Sequence, residues 1–166
     1  MKKLMLTIAM VLGTVGMSFA QNTANQNVTI DAAVMQGLVL AVNNGTLNLG
    51  TLVAGTTPTP VSPATSSIEF TLTGNGTSNV TVTYSPVTLN GPSSSTMTFT
   101  PNLTGDPSAA NQGSAASVTS GGTVTLSGTN YTSGNYYFWL GGNVGTLPSA
   151  QTPGAYTGTF TLNVTY

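Results

Sequence analysis

Apolar and polar side chains alternate along several short stretches of this chain, a pattern typical of strands with one buried face. The clearest stretch is the last, where threonine and asparagine separate residues of one parity: Tyr156, Gly158, Phe160, Leu162, Val164 and Tyr166. Shorter stretches of the same kind contain Ile68, Phe70 and Leu72; Val80, Val82 and Tyr84; Met97 and Phe99; and Val124 and Leu126. The pattern predicts one strand over 156–166 and further strands at each of these places.

Two other stretches are also interpreted as strands. Near the N-terminus, alternate positions are apolar and predict a long or bent strand: Val28, Ile30, Ala32 and Val34, continued after Gln36 by Leu38, Leu40 and Val42. The run at 136–140 is continuously apolar, which favours a strand covered on both sides. No stretch has a convincing helical period.

Turn residues separate these strands. Asn43-Asn44-Gly45, Gly74-Asn75-Gly76, Asn90-Gly91-Pro92 and Gly141-Gly142-Asn143 are interpreted as turns. Two longer stretches, at 58–67 and at 105–122, have no regular pattern of apolar residues. The second is predicted to be a flexible loop. Many short strands with such punctuation predict an all-β fold, a single-domain antiparallel β-sandwich, immunoglobulin-like or pilin-like, over 21–166.

The first 20 residues have the pattern of a secretory signal peptide. Lys2 and Lys3 precede an uncharged apolar stretch, and Ser18-Phe19-Ala20 supplies small residues for cleavage before Gln21. We therefore expect an exported protein of the periplasm, cell surface or extracellular space. The chain has no cysteine, so the exported form has no disulfide to stabilise it.

Charge is nearly absent from the expected mature chain, and this excludes most chemistry. After Ala20 there is no Lys, Arg, His or Cys, and the charged side chains are Asp31, Glu69 and Asp106. A serine or threonine nucleophile would lack a base, transition metals would lack imidazole and thiolate ligands, and nucleic acid would meet no cation. The sequence predicts a non-enzymatic protein with no cofactor, no small-molecule substrate and no nucleic-acid partner.

The remaining polar and aromatic features have structural interpretations. Asp31 and Glu69 fall on the outward parity of their strands and are interpreted as solvated charges, while Asp106 in Gly-Asp-Pro is interpreted as the start of a turn. Trp139, inside the apolar run, fits the core best. The alternative is a stacking contact with a sugar, which requires that one face of this strand be exposed.

Three segments resemble a known family, the pilin-like secreted proteins grouped as domain of unknown function 4402. They are LNLGTLVAG at 47–55, FTLTGNGTSNVTVTY at 70–84 and GGNVGTLPSAQTPGAYTGTFTLNVTY at 141–166. The resemblance implies an exported β-sandwich of a Gram-negative bacterium, fimbrial or surface-associated, and it carries over no catalytic residue. The chain departs from the family pattern at Asn48, where an acidic residue is frequent, and in its proline-rich 57–63 segment.

Open sheet edges are usually guarded by charge or proline, and the two clearest strand patterns contain no proline. We expect these edges to pair, either within the subunit or between subunits, so the predicted assembly residues are Val28, Ile30, Ala32, Val34, Tyr156, Phe160, Leu162, Val164 and Tyr166. The hypothesis is a fimbrial or cell-surface subunit whose residues 21–34 complete a neighbour's sheet, with other copies or surface subunits and a periplasmic chaperone as partners. An outer-membrane β-barrel and a carbohydrate-binding adhesive module are the alternatives.

Overall fold

The structure, a computed structural model, describes residues 29–166. Within this range the chain is nearly all β, and two antiparallel sheets pack against each other. The predicted all-β sandwich is therefore confirmed. Residues 34–166 form one compact unit, and residues 29–33 belong to a separate one.

Nine strands occur within the described range, and every pairing between them is antiparallel. They are β1 (Val39–Val42), β2 (Glu69–Asn75), β3 (Asn79–Thr83), β4 (Val87–Asn90), β5 (Thr96–Asp106), β6 (Ala116–Ser117), β7 (Gly122–Thr125), β8 (Ser133–Val144) and β9 (Asn163–Thr165). The first sheet has the order β1-β2-β8-β5-β4, with β6 paired to β5, and the second has the order β7-β3-β9. Short 3-10 helices occupy Pro63–Thr65, Pro92–Ser94 and Ala109–Ser114.

The core lies between the two sheets and follows the predicted alternation. Leu72 of β2 and Phe138 of β8 are fully buried on the first sheet, and Val80 and Val82 of β3 face them from the second. Burying side chains of this size stabilises a fold by about 1.5–3 kcal/mol each. The alternate apolar residues of these strands therefore hold the two sheets together.

The opposite face of β8 is covered too, as its continuous apolar run predicts. Trp139 is only 1% exposed although it lies outside the central core cluster. A β-carbon added to Gly141, which has the same parity, would meet Pro63, so the Pro63–Thr65 helix lies on this face. The Ala109–Ser114 helix is joined to this segment by Gln112. Its Nε2 donates to the carbonyl oxygens of Pro63 and Ser66, at 2.8 and 2.7 Å.

One predicted turn is a strand instead. Gly141 and Gly142 lie within β8, and Gly142 pairs with Val61 through two backbone hydrogen bonds of 2.8 and 2.9 Å. Glycine within a strand can mark a close approach of another backbone rather than a reversal of the chain. The turn prediction at this position was wrong because it took glycine only as a turn residue.

The predicted loop at 105–122 is wrong in extent. Its first residues end β5, its middle contains the Ala109–Ser114 helix and β6, and its last residue begins β7. Val118 within it is 5% exposed and joins the central core. Alanine, serine and glycine here form short ordered elements because β5 and β8 provide a surface for them.

The N-terminal strand is much shorter than its alternation predicts. β1 contains only Val39–Val42, and residues 29–38 form no strand. Alternation creates a strand only where a partner supplies hydrogen bonds, and β2 pairs no further than Val39↔Thr73. The part of the prediction at Val28 lies outside the described residues.

The C-terminal segment likewise does not form one strand over 156–166. β9 pairs with β3 as far as Thr83↔Asn163, and an isolated bridge joins Asn90 to Thr157. The segment therefore follows β3 in the second sheet and the end of β4 in the first. Its two paired parts belong to different sheets, which is why the single predicted strand was wrong in extent.

Strand pairing is interrupted between the Thr83–Asn163 pair and the Asn90–Thr157 bridge. Between them, one segment has six residues, 84–89, and the other has five, 158–162. One residue is therefore left without an opposite partner, as in a β-bulge. Pro86 within the longer side has no N–H for a ladder. A polar opening of about 310 Å³ lies at this corner.

Candidate assembly interface

β1 is an end strand of the first sheet, and one of its edges has no partner strand within residues 29–166. Its sequence VLAV contains neither charge nor proline, the usual guards of an exposed edge. Val39 is 62% exposed and Val42 is 48% exposed. This edge offers backbone hydrogen-bonding groups and apolar side chains together.

The N-terminal assembly residues that the structure describes are all exposed. Ile30 and Val34 are 88% and 87% exposed, and Ala32 between them is exposed as well. Asp31, of the other parity, is also exposed, as its interpretation as a solvated charge predicts. This segment has the alternation of a strand but is paired with no strand in the described part of the chain.

Most of the C-terminal assembly residues are used inside the subunit. Phe160, Leu162 and Val164 pack in the central core, and the rings of Phe160 and Phe70 lie 6.1 Å apart. Tyr156 is half-buried, and its hydroxyl donates to the Thr152 carbonyl at 2.7 Å. These side chains are therefore committed to contacts within the compact unit 34–166.

An open groove of about 1070 Å³ runs between residues 44–54 and residues 151–160. Its floor is the inner face of the first sheet and is apolar: Ile68, Phe70, Leu89, Phe99 and Leu140. None of the residues that line it is charged. No pattern in the sequence indicates this groove, because both of its walls lack regular strand pairing.

Tyr166, the last residue, ties the two ends of the compact unit together. Its hydroxyl accepts a hydrogen bond from the backbone N–H of Asn75 at 2.7 Å and donates one to the carbonyl of Gln36 at 2.6 Å. Asn75 is 1% exposed, and its side chain bonds in turn to Ser78, Asn130 and Tyr131. The tie fixes Gln36 beside the Asn75 end of β2.

Tyr166→Phe is expected to lower the free energy of unfolding by about 1–2 kcal/mol, because two hydrogen bonds are lost and the Asn75 N–H is left without its acceptor. Urea unfolding followed by circular dichroism measures the change. Tyr131→Phe is the matched control, because Tyr131 is 59% exposed and its hydroxyl makes no hydrogen bond within residues 29–166. Equal stability of the two variants would contradict the role of the tie.

Trp139 is buried, as its place in the apolar run favours, and the alternative of a sugar contact does not fit this burial. Sugar stacking needs an open ring face, whereas this side chain is 1% exposed and its ring stacks on that of Tyr137 at 6.5 Å. Its Nε1 donates to Oε2 of Glu69 across the β2–β8 pair at 3.1 Å. Glu69 is therefore a half-buried acceptor rather than the freely solvated charge that its position predicted.

Asp106 starts a turn, as predicted. Its Oδ1 accepts from the Ser108 N–H at 2.8 Å and from Nδ2 of Asn111 at 3.0 Å. Among residues 29–166, no three His, Cys, Asp or Glu side chains are grouped in a way that could hold a metal ion.

The hydroxyl pKa is raised in two tyrosines, the half-buried Tyr84 and the buried Tyr136. Burial raises the pKa of Tyr84, and an interaction with the Ser120 backbone opposes this shift. Burial, and then the negative charge of Asp106, raises the pKa of Tyr136. Both shifts favour the neutral phenol, so these groups are poorly suited to act as bases.

Comparisons with known proteins find no matching family model and no matching curated protein. In the described part of the chain, no helix is both long and apolar enough to span a bilayer.

Proposed function

We propose that this chain is an exported, non-enzymatic structural subunit, pilin-like in character, whose copies join by strand pairing into an assembly at the cell surface. The observation that carries the proposal is the free edge of β1, which has neither charge nor proline and exposes Val39 and Val42. A soluble monomer would ordinarily guard such an edge.

The charge pattern supports the same function. A chain with three carboxylates and no cation after Ala20 has little long-range repulsion between copies, which favours close packing but lowers the solubility of the free subunit. A periplasmic chaperone that holds the free subunit is part of the proposal. The resemblance of three sequence segments to the pilin-like secreted family supports it as well.

The proposed assembly is tested by negative-stain electron microscopy of the chain that begins at Gln21. We expect ordered fibres from the intact chain and separate particles after deletion of residues 21–34, because the deletion removes the segment with the unpaired strand pattern. The compact unit begins at Val34, so circular dichroism of the deleted chain should remain that of a β protein.

Two results would count against the proposal in different ways. Fibres that persist after the deletion would show that residues 21–34 donate no strand. Assembly itself would be contradicted if the intact chain gave only separate particles and if shearing whole cells released no fibres of this protein.

A further inference from the structure

We propose that Asn44 is a site of spontaneous deamidation, where the side-chain amide becomes a carboxylate without the help of an enzyme. This inference is independent of the proposed function. It rests on a difference between three Asn-Gly pairs of the chain, at 44–45, 75–76 and 90–91. Among residues 29–166, the Gly45 nitrogen makes no hydrogen bond, whereas the nitrogens of Gly76 and Gly91 each donate one.

The reaction takes place between adjacent residues. The Gly45 nitrogen gives its proton to hydroxide and attacks Cγ of Asn44, so that a new N–Cγ bond forms. The Cγ–Nδ2 bond breaks, and Nδ2 takes a proton from water and leaves as ammonia. Water then opens the cyclic imide at either carbonyl, which gives aspartate or isoaspartate. Water is consumed, ammonia is released, and nothing is oxidised or reduced.

The Asn44 side chain is held over the nitrogen that attacks it. Its Oδ1 accepts from the N–H of Thr46 at 3.3 Å, the contact of an Asx-turn, which folds the side chain over the intervening peptide. Its Nδ2 donates to Oγ of Ser67 at 3.4 Å. The Thr46 N–H faces the oxygen on which negative charge develops during attack, and a donor placed there stabilises that charge.

Gly45 leaves its nitrogen open to attack. Asn44 and Gly45 are both exposed, and a β-carbon added to Gly45 would meet nothing within 4 Å. Asn48 makes the same kind of turn, with its Oδ1 accepting from the Gly50 N–H at 2.8 Å. Its next residue is Leu49, whose side chain shields the nitrogen. The turn and an unshielded nitrogen therefore coincide at Asn44.

Hydrogen bonds protect the other two Asn-Gly pairs. The Gly76 N–H donates to the Thr132 carbonyl at 2.7 Å, and the Gly91 N–H donates to the Ser95 carbonyl at 2.8 Å. Asn75 is also only 1% exposed. Attack at either pair would first have to break a backbone hydrogen bond and leave its carbonyl without a partner. We therefore expect both pairs to react slowly while the chain is folded.

Deamidation at this position puts a charge where the protein has none. Asn44 and Gly45 line the groove, and none of the residues that line it is charged. Residue 44 also follows the end of β1 at Val42. After Ala20 the chain has three carboxylates and no cation, so conversion takes its formal charge from −3 to −4. Each copy thus gains a negative charge with age.

Peptide mapping by mass spectrometry tests the proposal on the chain that begins at Gln21, incubated folded and also unfolded in guanidinium. Chymotrypsin supplies the peptides, because there is no Lys or Arg after Ala20, and an isoaspartyl methyltransferase labels isoaspartate. In the folded chain, conversion at 44 should be severalfold faster than at 75 or 90 and should accelerate as the pH rises. In the unfolded chain, the three pairs should convert at similar rates.

Two results would overturn the proposal. One is equal conversion of the three pairs in the folded chain. The other is an unchanged Asn44 in the folded chain over a time in which the unfolded chain converts it.

A pair of alanine variants tests the role of the glycine nitrogen. Gly45→Ala should fold normally, because the added β-carbon meets nothing and Gly45 is not among the glycines with positive φ. Its methyl group shields the nitrogen, so conversion of Asn44 should slow severalfold. Gly37→Ala, where an added β-carbon also meets nothing within 4 Å, is the matched control and should leave the rate unchanged. Equal rates in the two variants, with equal melting temperatures, would overturn the proposal.

Discussion

Replacing Phe138 with alanine is expected to lower the free energy of unfolding by about 3–5 kcal/mol, the usual range for a buried phenylalanine. Phe138 is 0% exposed, and its ring lies 5.0 Å from that of Tyr136. It stands in β8, between β2 and β5 in the first sheet. Neighbouring strands hold the backbone on both sides, so the cavity cannot easily collapse.

Guanidinium unfolding followed by the fluorescence of Trp139, the single tryptophan, measures this loss. Since small domains are stable by about 5–15 kcal/mol, the variant should unfold at a much lower denaturant concentration. Val39→Ala is the control, because Val39 is 62% exposed and should change stability by no more than about 0.5 kcal/mol. A loss below about 1 kcal/mol at Phe138 would show that the core is loosely packed there.

Gly142→Ala is expected to destabilise the sandwich by about 3 kcal/mol or more, since it combines backbone strain with overpacking. The residue has φ of 144°, which favours glycine, and an added β-carbon would lie 2.4 Å from the Thr100 carbonyl oxygen and 2.6 Å from the Phe99 ring. Neither neighbour can retreat easily, because Thr100 is in β5 and Phe99 is 4% exposed.

Gly145→Ala is the matched control for this prediction. An added β-carbon there meets nothing within 4 Å, so alanine should be neutral or slightly stabilising through its effect on the unfolded chain. Thermal unfolding of both variants measures the difference. Similar melting temperatures would show that β5 shifts to accommodate the methyl group, contrary to the expected strain.

Much of the sandwich could be predicted from the sequence because one buried face leaves a period of two. Ile68 and Leu72, Val80 and Val82, and the run at 136–140 all lie where the pattern placed them. Predictions were wrong where a contact distant in sequence decides the structure. Gly142 lies in a strand and pairs with Val61, and no local sequence pattern indicates such a partner.

The candidate site was less predictable for the same reason. Apolar alternation identified Ile30 and Val34, whose exposure leaves them accessible to a partner, but it did not distinguish them from Leu162, which is buried in its own core. The groove depends on two irregular segments that come together only in the fold. The hydroxyl of Tyr166 reaches Asn75, a pairing that the sequence signals nowhere.

The central strand of the second sheet, β3, has its second partner, β9, far along the chain. Thr81 of β3 pairs with Thr165 of β9, a separation of 84 residues (165 − 81). Contacts between residues so far apart in sequence are slow to form, because loop closure costs entropy before the contact stabilises the fold. One edge of β3 therefore stays unpaired while the chain folds, and the proposed periplasmic chaperone has its opportunity to bind there during that interval.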